Sequence, residues 1–425
     1  MTASFNVEVN ERVTECDCGR PAARAQDKKG MGLVYMMELW SFVPYYMACL
    51  SKSLRDTSVK VVLGSVRYHL DREYFRKVGL KPDPRLLDFG GSIHSNILRR
   101  LVKSIEYVAN LFVLGLRFSL SQPDILHVQY LPFLEHGFTF ELWFLKWVKY
   151  LGIRVVYTVH NVTPQNTADR HKSIYRHAYR MADSLICHSE GASSELIRDF
   201  EVAAEKIWVI PHGPLFDEKP QISPQEARAK LRLPVDKNLA LCFGVISEYK
   251  GIPFLLDAWK RVIGTGVKGR LLIAGTGDPR LMSTIREKVL ADGIDSSVDL
   301  WLRFISVDEV SILHQAADIL VYPYKAGTTS GALLTGLNYG KAVVATRLPF
   351  FLEHLVDSLN ARLVDYGDVD ALGQVLLQLL HDPQEREKLG QGVVNQARKT
   401  ESWDTIARST IDCYRAAIHR TSRHG

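Results

Sequence analysis

At 425 residues the chain is longer than one hydrophobic core usually organises, so two domains are expected. An apolar share of 46% and a charged share of 24% exclude a disordered or fibrous chain. The net charge of +6, from 53 basic against 47 acidic residues, is too slight without a basic cluster to signal nucleic acid, and leaves weak attraction to anionic lipid or phosphorylated substrates open.

Residues 1–30 are polar, lack the apolar stretch of a secretory signal and read as a flexible tail. Cys16 and Cys18 lie there one residue apart, with no second pair and no nearby histidine, so free thiols are expected in preference to a metal site. Of the other cysteines, Cys187 and Cys242 sit inside apolar runs as small hydrophobes, and the pattern suits a reducing cytoplasm.

Strands are expected at Gly32–Met37, Val59–Leu63, Ile125–Val128, Val155–Val159, Leu185–Cys187 and Trp208–Ile210, all rich in Val, Ile and Leu. Helical spacing fills the gaps, as at Leu98, Leu101, Val102, Ile105, Val108 and Ala109. Short apolar strands alternating with amphipathic helices predict a parallel, doubly wound sheet over residues 31–213. Pro211-His212-Gly213-Pro214 breaks the alternation, and the polar, proline-containing stretch 217–237 reads as a linker. Five more strands follow at Leu239–Phe243, Arg270–Ala274, Val298–Leu302, Ile319–Val321 and Ala342–Ala345, with helices at 252–263, 279–291, 307–316, 331–339 and 370–380. A second doubly wound domain over 214–400 is the result, with 401–425 as a final helix. Ligands of open α/β sheets bind outside the carboxyl ends of the strands, so two such sheets in tandem predict a cleft enzyme.

The residues that suit chemistry sit at those strand ends. Phe243-Gly244-Val245-Ile246-Ser247-Glu248-Tyr249-Lys250-Gly251 places a glycine turn and a lysine before a helix, a point charge for a phosphate or else a solvated surface turn. Leu271–Asp278 offers Gly275 and Gly277 at the next strand end without the full dinucleotide fingerprint. Thr329, Ser330 and Gly331 open a helix after Tyr322-Pro323-Tyr324, either as an anion site or as an ordinary cap. In the first half, His160 ends the strand 155–159, and Glu135 follows the strand 125–128, where it could hold an acceptor or act as a base.

Taken in order, TVHN (158–161), IPHG (210–213), FGVISEYKG (243–251), LLIAGTGD (271–278), ADILVYPY (317–324), TSGALLTGLNYGKAVVAT (329–346) and SWDTIARSTIDCY (402–414) resemble the retaining-type GT-B glycosyltransferases of family four. The resemblance covers residues 120–415 and implies two Rossmann-like domains facing a central cleft, the first binding acceptor and the second nucleotide-sugar. It implies that Lys250 holds the diphosphate, that Ser330 and Gly331 offer it backbone N–H groups, that Arg303 and Phe304 sit near the base, and that His160 sits near the transferred sugar. The last helix would cross back to the first domain. Two departures stand out. The positions of the family's glutamate pair are Gly327 and Thr335, and the arginine that follows the first glycine of the lysine loop is replaced by Val245. Some branches, several of them resembling mannosyltransferases of polysaccharide assembly, carry the SGAL pattern instead.

The expectation is therefore a hexosyltransferase that uses a UDP- or GDP-sugar as substrate and needs no cofactor. No DxD motif ends a strand of the second half, so no metal is expected. The acceptor would be a glycan or a lipid-linked acceptor, in polysaccharide or glycolipid assembly. The helix 97–116 opens with Arg99, Arg100 and Lys103 and then turns almost wholly apolar, and Trp143, Lys146, Trp147 and Lys149 form a second basic-aromatic stretch. Both are expected either to lie on the anionic inner face of a membrane or to be core helices with solvated basic ends. The longest uncharged apolar run, Tyr107–Leu116, is far short of the roughly 20 residues of a span. An inactive scaffold that kept the fold, and a nucleotide-sugar epimerase, are the alternatives.

Overall fold

The computed structural model describes residues 32–40, 43–66, 72–93, 96–162, 171–216, 219–327 and 329–420. The expected tail, with Cys16 and Cys18, lies outside them. In chain order the elements of the first half are β1 (Leu33–Glu38), α1 (Pro44–Asp56), β2 (Lys60–Ser65), α2 (Arg72–Lys77), α3 (Asn96–Leu120), β3 (Ile125–Val128), α4 (Phe140–Tyr150), β4 (Arg154–Thr158), α5 (Lys172–Met181), β5 (Ser184–Cys187), α6 (Glu190–Phe200) and β6 (Ile207–Val209). The second half holds α7 (Pro224–Leu231), β7 (Asn238–Phe243), α8 (Ile252–Gly264), β8 (Gly269–Ala274), α9 (Pro279–Ala291), β9 (Val298–Trp301), α10 (Val307–Ala316), β10 (Ile319–Tyr322), α11 (Gly331–Leu337), β11 (Ala342–Thr346), α12 (Pro349–His354), β12 (Arg362–Val364), α13 (Val369–His381), α14 (Pro383–Ala397) and α15 (Trp403–His419).

The strands form two six-stranded sheets, ordered β2-β1-β3-β4-β5-β6 and β12-β11-β10-β7-β8-β9. Every pairing between them is parallel. Parallel strands need crossovers that cover both faces, and the second sheet accordingly carries two cores. One is built around fully buried Trp259, whose Nε1 donates to Ser297 Oγ, and the other around Tyr322, Tyr324 and Phe351. The order of each sheet reverses once, between β1 and β3 in the first and between β7 and β10 in the second. Loops diverge at such a reversal, and the crevice they leave is where this architecture takes ligands.

Two expectations need correction. The stretch 217–237 is not all linker, because α7 forms inside it on a capping box in which Ser223 Oγ accepts from the Glu226 amide and Glu226 accepts from the Ser223 amide. Its Arg228 is buried, donating to the carbonyls of Ala316 and Lys237 and pairing with Asp318 at 2.5 Å. A cap and one internal cation outweigh the polar composition. The second is β12, which no strand was expected to supply. It has three residues, at the edge of its sheet, too few for a visible pattern.

The final helix α15 leaves the second half and packs against α1, β4 and β5 of the first. Hydrogen bonds fix it there, among them Trp403 Nε1 to the Pro214 carbonyl (2.7 Å), Tyr414 to His127 (2.6 Å) and Arg420 to the carbonyls of Asp183 (2.8 Å) and Glu205.

Candidate active site

Lys250 stands at the reversal of the second sheet. The strand β7 ends at Phe243, Gly244 turns with φ +143°, and a 3-10 turn over Glu248–Lys250 delivers the lysine to the start of α8. Its side chain is only 7% exposed. The ammonium donates to Tyr324 Oη at 2.5 Å and lies 3.8 Å from the centre of that ring, so the loop after β7 meets the loop after β10. The Tyr324 hydroxyl is also hydrogen-bonded to Ser330 Oγ, 3.2 Å away. Ser330 in turn accepts from the Leu333 amide as the N-cap of α11. Burial drives the lysine pKa down from 10.5 to about 7, the Cys242 thiol opposing slightly. A desolvated cation held by neutral partners at a ligand crevice is strongly predisposed to an anion, which would restore its charge.

The neighbouring glycines have a packing role of their own. A Cβ on Gly275 would stand 1.8 Å from the Gly244 carbonyl oxygen, and one on Gly277 would stand 2.0 Å from that of Ile246. The loops after β7 and β8 are laced together, Gly244 N–H to Ala274 O, Ile246 N–H to Thr276 O and Asp278 N–H to Ile246 O. Gly275 and Gly277 thus permit loop-to-loop contact and thereby support the lysine turn. A Cβ on Gly244 would instead meet the Lys250 ammonium (3.8 Å) and Ala332 Cβ (3.9 Å) at ordinary van der Waals contact.

The remaining expected donor residues divide. Thr329 keeps a buried hydroxyl with no partner among the described residues beside Ser330, and the Cβ position of Gly331 faces Leu215 and His212 of the connecting segment. Thr335 lies within α11 and is buried, its hydroxyl without a partner among the described residues. Arg303 and Phe304 follow β9 at the same end of the sheet, two strands from β7. Arg303 is held by Glu309 at 2.6 Å and by its neighbour's carbonyl, and Glu309 also closes the capping box of α10.

In the first sheet, His160 and Glu135 line one small cavity of about 20 Å³, together with Gln129, Tyr130 and Tyr157. That is room for about one water molecule. Glu135 accepts from Tyr130 Oη at 2.5 Å. His160 is 7% exposed and set between Gln129 Oε1 (3.0 Å) and His188 Nε2 (3.3 Å), its ring edge-on to Tyr46 at 4.7 Å. The histidine expected alone is one of four. His127 bonds to Thr158, Gln129 and Tyr414, while His188 and His212 pack on Tyr46. Burial pushes all four below the usual imidazole range, His188 to about 4 and His127 and His212 to about 3, with His160 lowered further by its histidine neighbours. All four are neutral at pH 7, hydrogen-bonding groups and not cations. His188 follows β5 as His160 follows β4, a repeated strand-end placement that the sequence displays at Cys187-His188-Ser189. Tyr324 and Tyr46 had no comparable signal.

Among the described residues no group of three or more His, Cys, Asp or Glu side chains is placed to hold a metal ion, and no helix is long and apolar enough to cross a membrane.

Two doubly wound parallel sheets, joined by a short segment and by a helix that crosses back, define a GT-B glycosyltransferase fold. Solved structures agree: a glycosyltransferase from Rickettsia africae superposes with a TM-score of 0.67 at 14% identity, covering 92% of this chain and 99% of that one. Alr3699/HepE of Anabaena, crystallised in complex with UDP-glucose, gives 0.71 at 14% identity, covering 90% and 98%. Residues 46–214 match the family described as Glycosyltransferase Family 4, and residues 237–382 match that described as Glycosyl transferases group 1. The chain belongs to the family-four type of GT-B glycosyltransferases. Curated relatives include an MMP alpha-(1->4)-mannosyltransferase of Mycolicibacterium hassiacum, 28% identical over 57% of this chain and 56% of its own length. An alpha-monoglucosyldiacylglycerol synthase of Streptococcus pneumoniae is 29% identical over 48% and 46%. The matches thus span about half the length of these curated relatives.

Proposed function

We propose that the chain transfers a hexose, mannose being the favoured case, from a UDP- or GDP-sugar to a glycan or lipid-linked acceptor, without a metal ion. The observation that carries this reading is the buried Lys250–Tyr324–Ser330 chain at the sheet reversal. As the glycosidic bond breaks, negative charge gathers on the departing diphosphate. A preformed cation in a low-dielectric site stabilises that charge more than it stabilises the ground state, which is what lowers a barrier. Lys250 supplies the charge here, Val245 standing where a second cation would be expected. Tyr324 holds the ammonium in place and Ser330 fixes Tyr324. Across the cleft, the neutral His160 is suited to bond a sugar hydroxyl, and Glu135 is suited to the acceptor side.

The relatives support a sugar transferase without naming this chain's donor: one acts under the name of a mannosyltransferase, another of a glucosyldiacylglycerol synthase, and a structural neighbour binds UDP-glucose. A lipid-linked acceptor places the chain at the cytoplasmic face of a membrane, in peripheral contact with it.

The test is a panel of UDP- and GDP-sugars offered to the purified full chain with and without chelator, with released nucleotide and glycosylated product followed by mass spectrometry. One donor should raise the melting temperature and release nucleotide in chelator. Interconversion of the donor sugar without acceptor would establish an epimerase instead, and absence of binding to every donor would establish a scaffold.

A further inference from the structure

The helix α3 buries only one side. Tyr107, Asn110, Leu111, Leu114 and Phe118 face the first sheet, while Leu98, Leu101, Ile105, Val108, Phe112 and Leu116 stand on the opposite side in solvent, Phe112 at 70% exposure. Their spacing of three and four residues makes one straight apolar stripe. With 25 residues at 1.5 Å each, the helix runs for about 37 Å. Beside it, α4 exposes Trp143 at 68% together with Trp147 and Tyr150. Trp147 is fastened to α3 by its Nε1, which donates to the Gly115 carbonyl at 3.2 Å, and it stacks on Tyr150. The two helices therefore present one surface.

The charges on this surface have one sign. Arg99, Arg100 and Lys146 are exposed. The only carboxylates in α3 and α4, Glu106 and Glu141, are buried and occupied by N–H and O–H donors: Phe89 and Gly90 amides for the first, Tyr107 and the Leu134 amide for the second. Lys103, expected to face the membrane, instead donates to the Trp40 carbonyl at 2.6 Å and lies over the Trp40 ring. That contact ties the start of α3 to the loop that follows the carboxyl end of β1.

We infer that the exposed face of α3 and α4 is a docking surface for an anionic lipid bilayer, which brings the membrane alongside the acceptor cleft. Apolar residues in the headgroup boundary, tryptophans at its edge and cations toward the lipid phosphates form the arrangement an interfacial helix requires. A second copy is a poorer occupant, because a self-paired face of cations brings no opposite charge to meet them. The inference rests on the reading that the acceptor is lipid-linked, and it adds the side from which such an acceptor enters.

The experiment is flotation of the full chain with vesicles of phosphatidylglycerol and phosphatidylcholine, against vesicles of phosphatidylcholine alone. Binding should need the anionic lipid and fall in high salt. Each cation near such a surface contributes about five-fold to partitioning, so the triple variant Arg99→Gln, Arg100→Gln, Lys146→Gln should bind about a hundred-fold more weakly. The pair Phe112→Ser, Trp143→Ser should lose binding even with the cations intact. All five side chains are exposed, so melting temperatures should hold. Absence of flotation by the intact chain, or flotation indifferent to both variants, overturns the inference. So does sedimentation that shows a dimer which the Phe112 and Trp143 changes dissociate. Turnover of donor onto a soluble acceptor, measured without vesicles, tests the catalytic reading separately and should survive both variants.

Discussion

Lys250 and Tyr324 lie 74 positions apart in the chain, yet the lysine ammonium rests both against the tyrosine hydroxyl and over its ring. A charge so enclosed is costly to the resting fold, because no carboxylate offsets its lost hydration. Lys250→Met, similar in volume, should therefore leave the melting temperature unchanged or raise it while weakening nucleotide binding by about 1.5–3 kcal/mol, the range for hydrogen bonds to charged groups. Calorimetric titration with the nucleotide diphosphate against both proteins checks this. Equal affinity would remove Lys250 from the site.

The titration of the same lysine sets a pH dependence. Its folded-state pKa, about 7, is below the unfolded 10.5, so from pH 7 to 10.5 the unfolded chain holds a proton the native chain has released. Stability without ligand should accordingly rise through that window. A bound diphosphate favours the ammonium and raises its pKa again. Above pH 7, binding should take up a proton, and affinity should fall by up to about ten-fold per pH unit. Titrations in buffers of different ionisation heat count that proton, and no uptake at pH 8 would contradict the geometry.

His160→Ala removes a ring that Gln129, His188 and Tyr46 touch, leaving Gln129 and His188 short of a partner in a buried place. A stability loss of about 1–3 kcal/mol is expected, the cost of stranded polar groups. His160→Gln, which keeps a donor and an acceptor, should recover much of that stability. If the imidazole bonds the sugar, turnover should stay low in both proteins, and a rescue of turnover in step with stability would make the residue purely structural.

The glycines give a paired test. Gly275→Ala asks for a Cβ 1.8 Å from a backbone oxygen at φ +147°, and should cost more than about 3 kcal/mol or prevent folding. Gly264→Ala, at the end of α8 with nothing within 4 Å of the new methyl, should instead add about 0.4–1 kcal/mol by restricting the unfolded chain. Urea unfolding of the two variants measures both signs.

The strands were legible because each is a short apolar run between turn residues, and a buried parallel sheet leaves that trace whatever its partners. Lys250 and Ser330 were legible for a related reason: each follows such a run. Tyr324 was not, although it is what joins them, since a tyrosine beside a strand reads as ordinary core. The packing role of Gly275 and Gly277 was not legible, because a glycine that admits a ligand and one that admits a carbonyl from the next loop look the same in one dimension. The helix α7 hid in a polar stretch, its stability coming from the long-range contacts of Arg228. Lys103 shows the same limit, since Trp40, 63 positions away, holds it inward.

The polypeptide passes between the two halves twice, once through Pro211–Pro214 and once on the way into α15, and Trp403 pins the second passage to the first through the Pro214 carbonyl. Two bodies joined at a single point can swivel freely, whereas two bodies joined by paired strands retain mainly one motion, a swing about the line of the joints. The half that carries Lys250 is thereby restricted in how it can turn relative to the half that carries His160. Reproducible alignment of donor and acceptor, which otherwise demands ordering two mobile partners at each turnover, becomes a property of how the backbone is threaded.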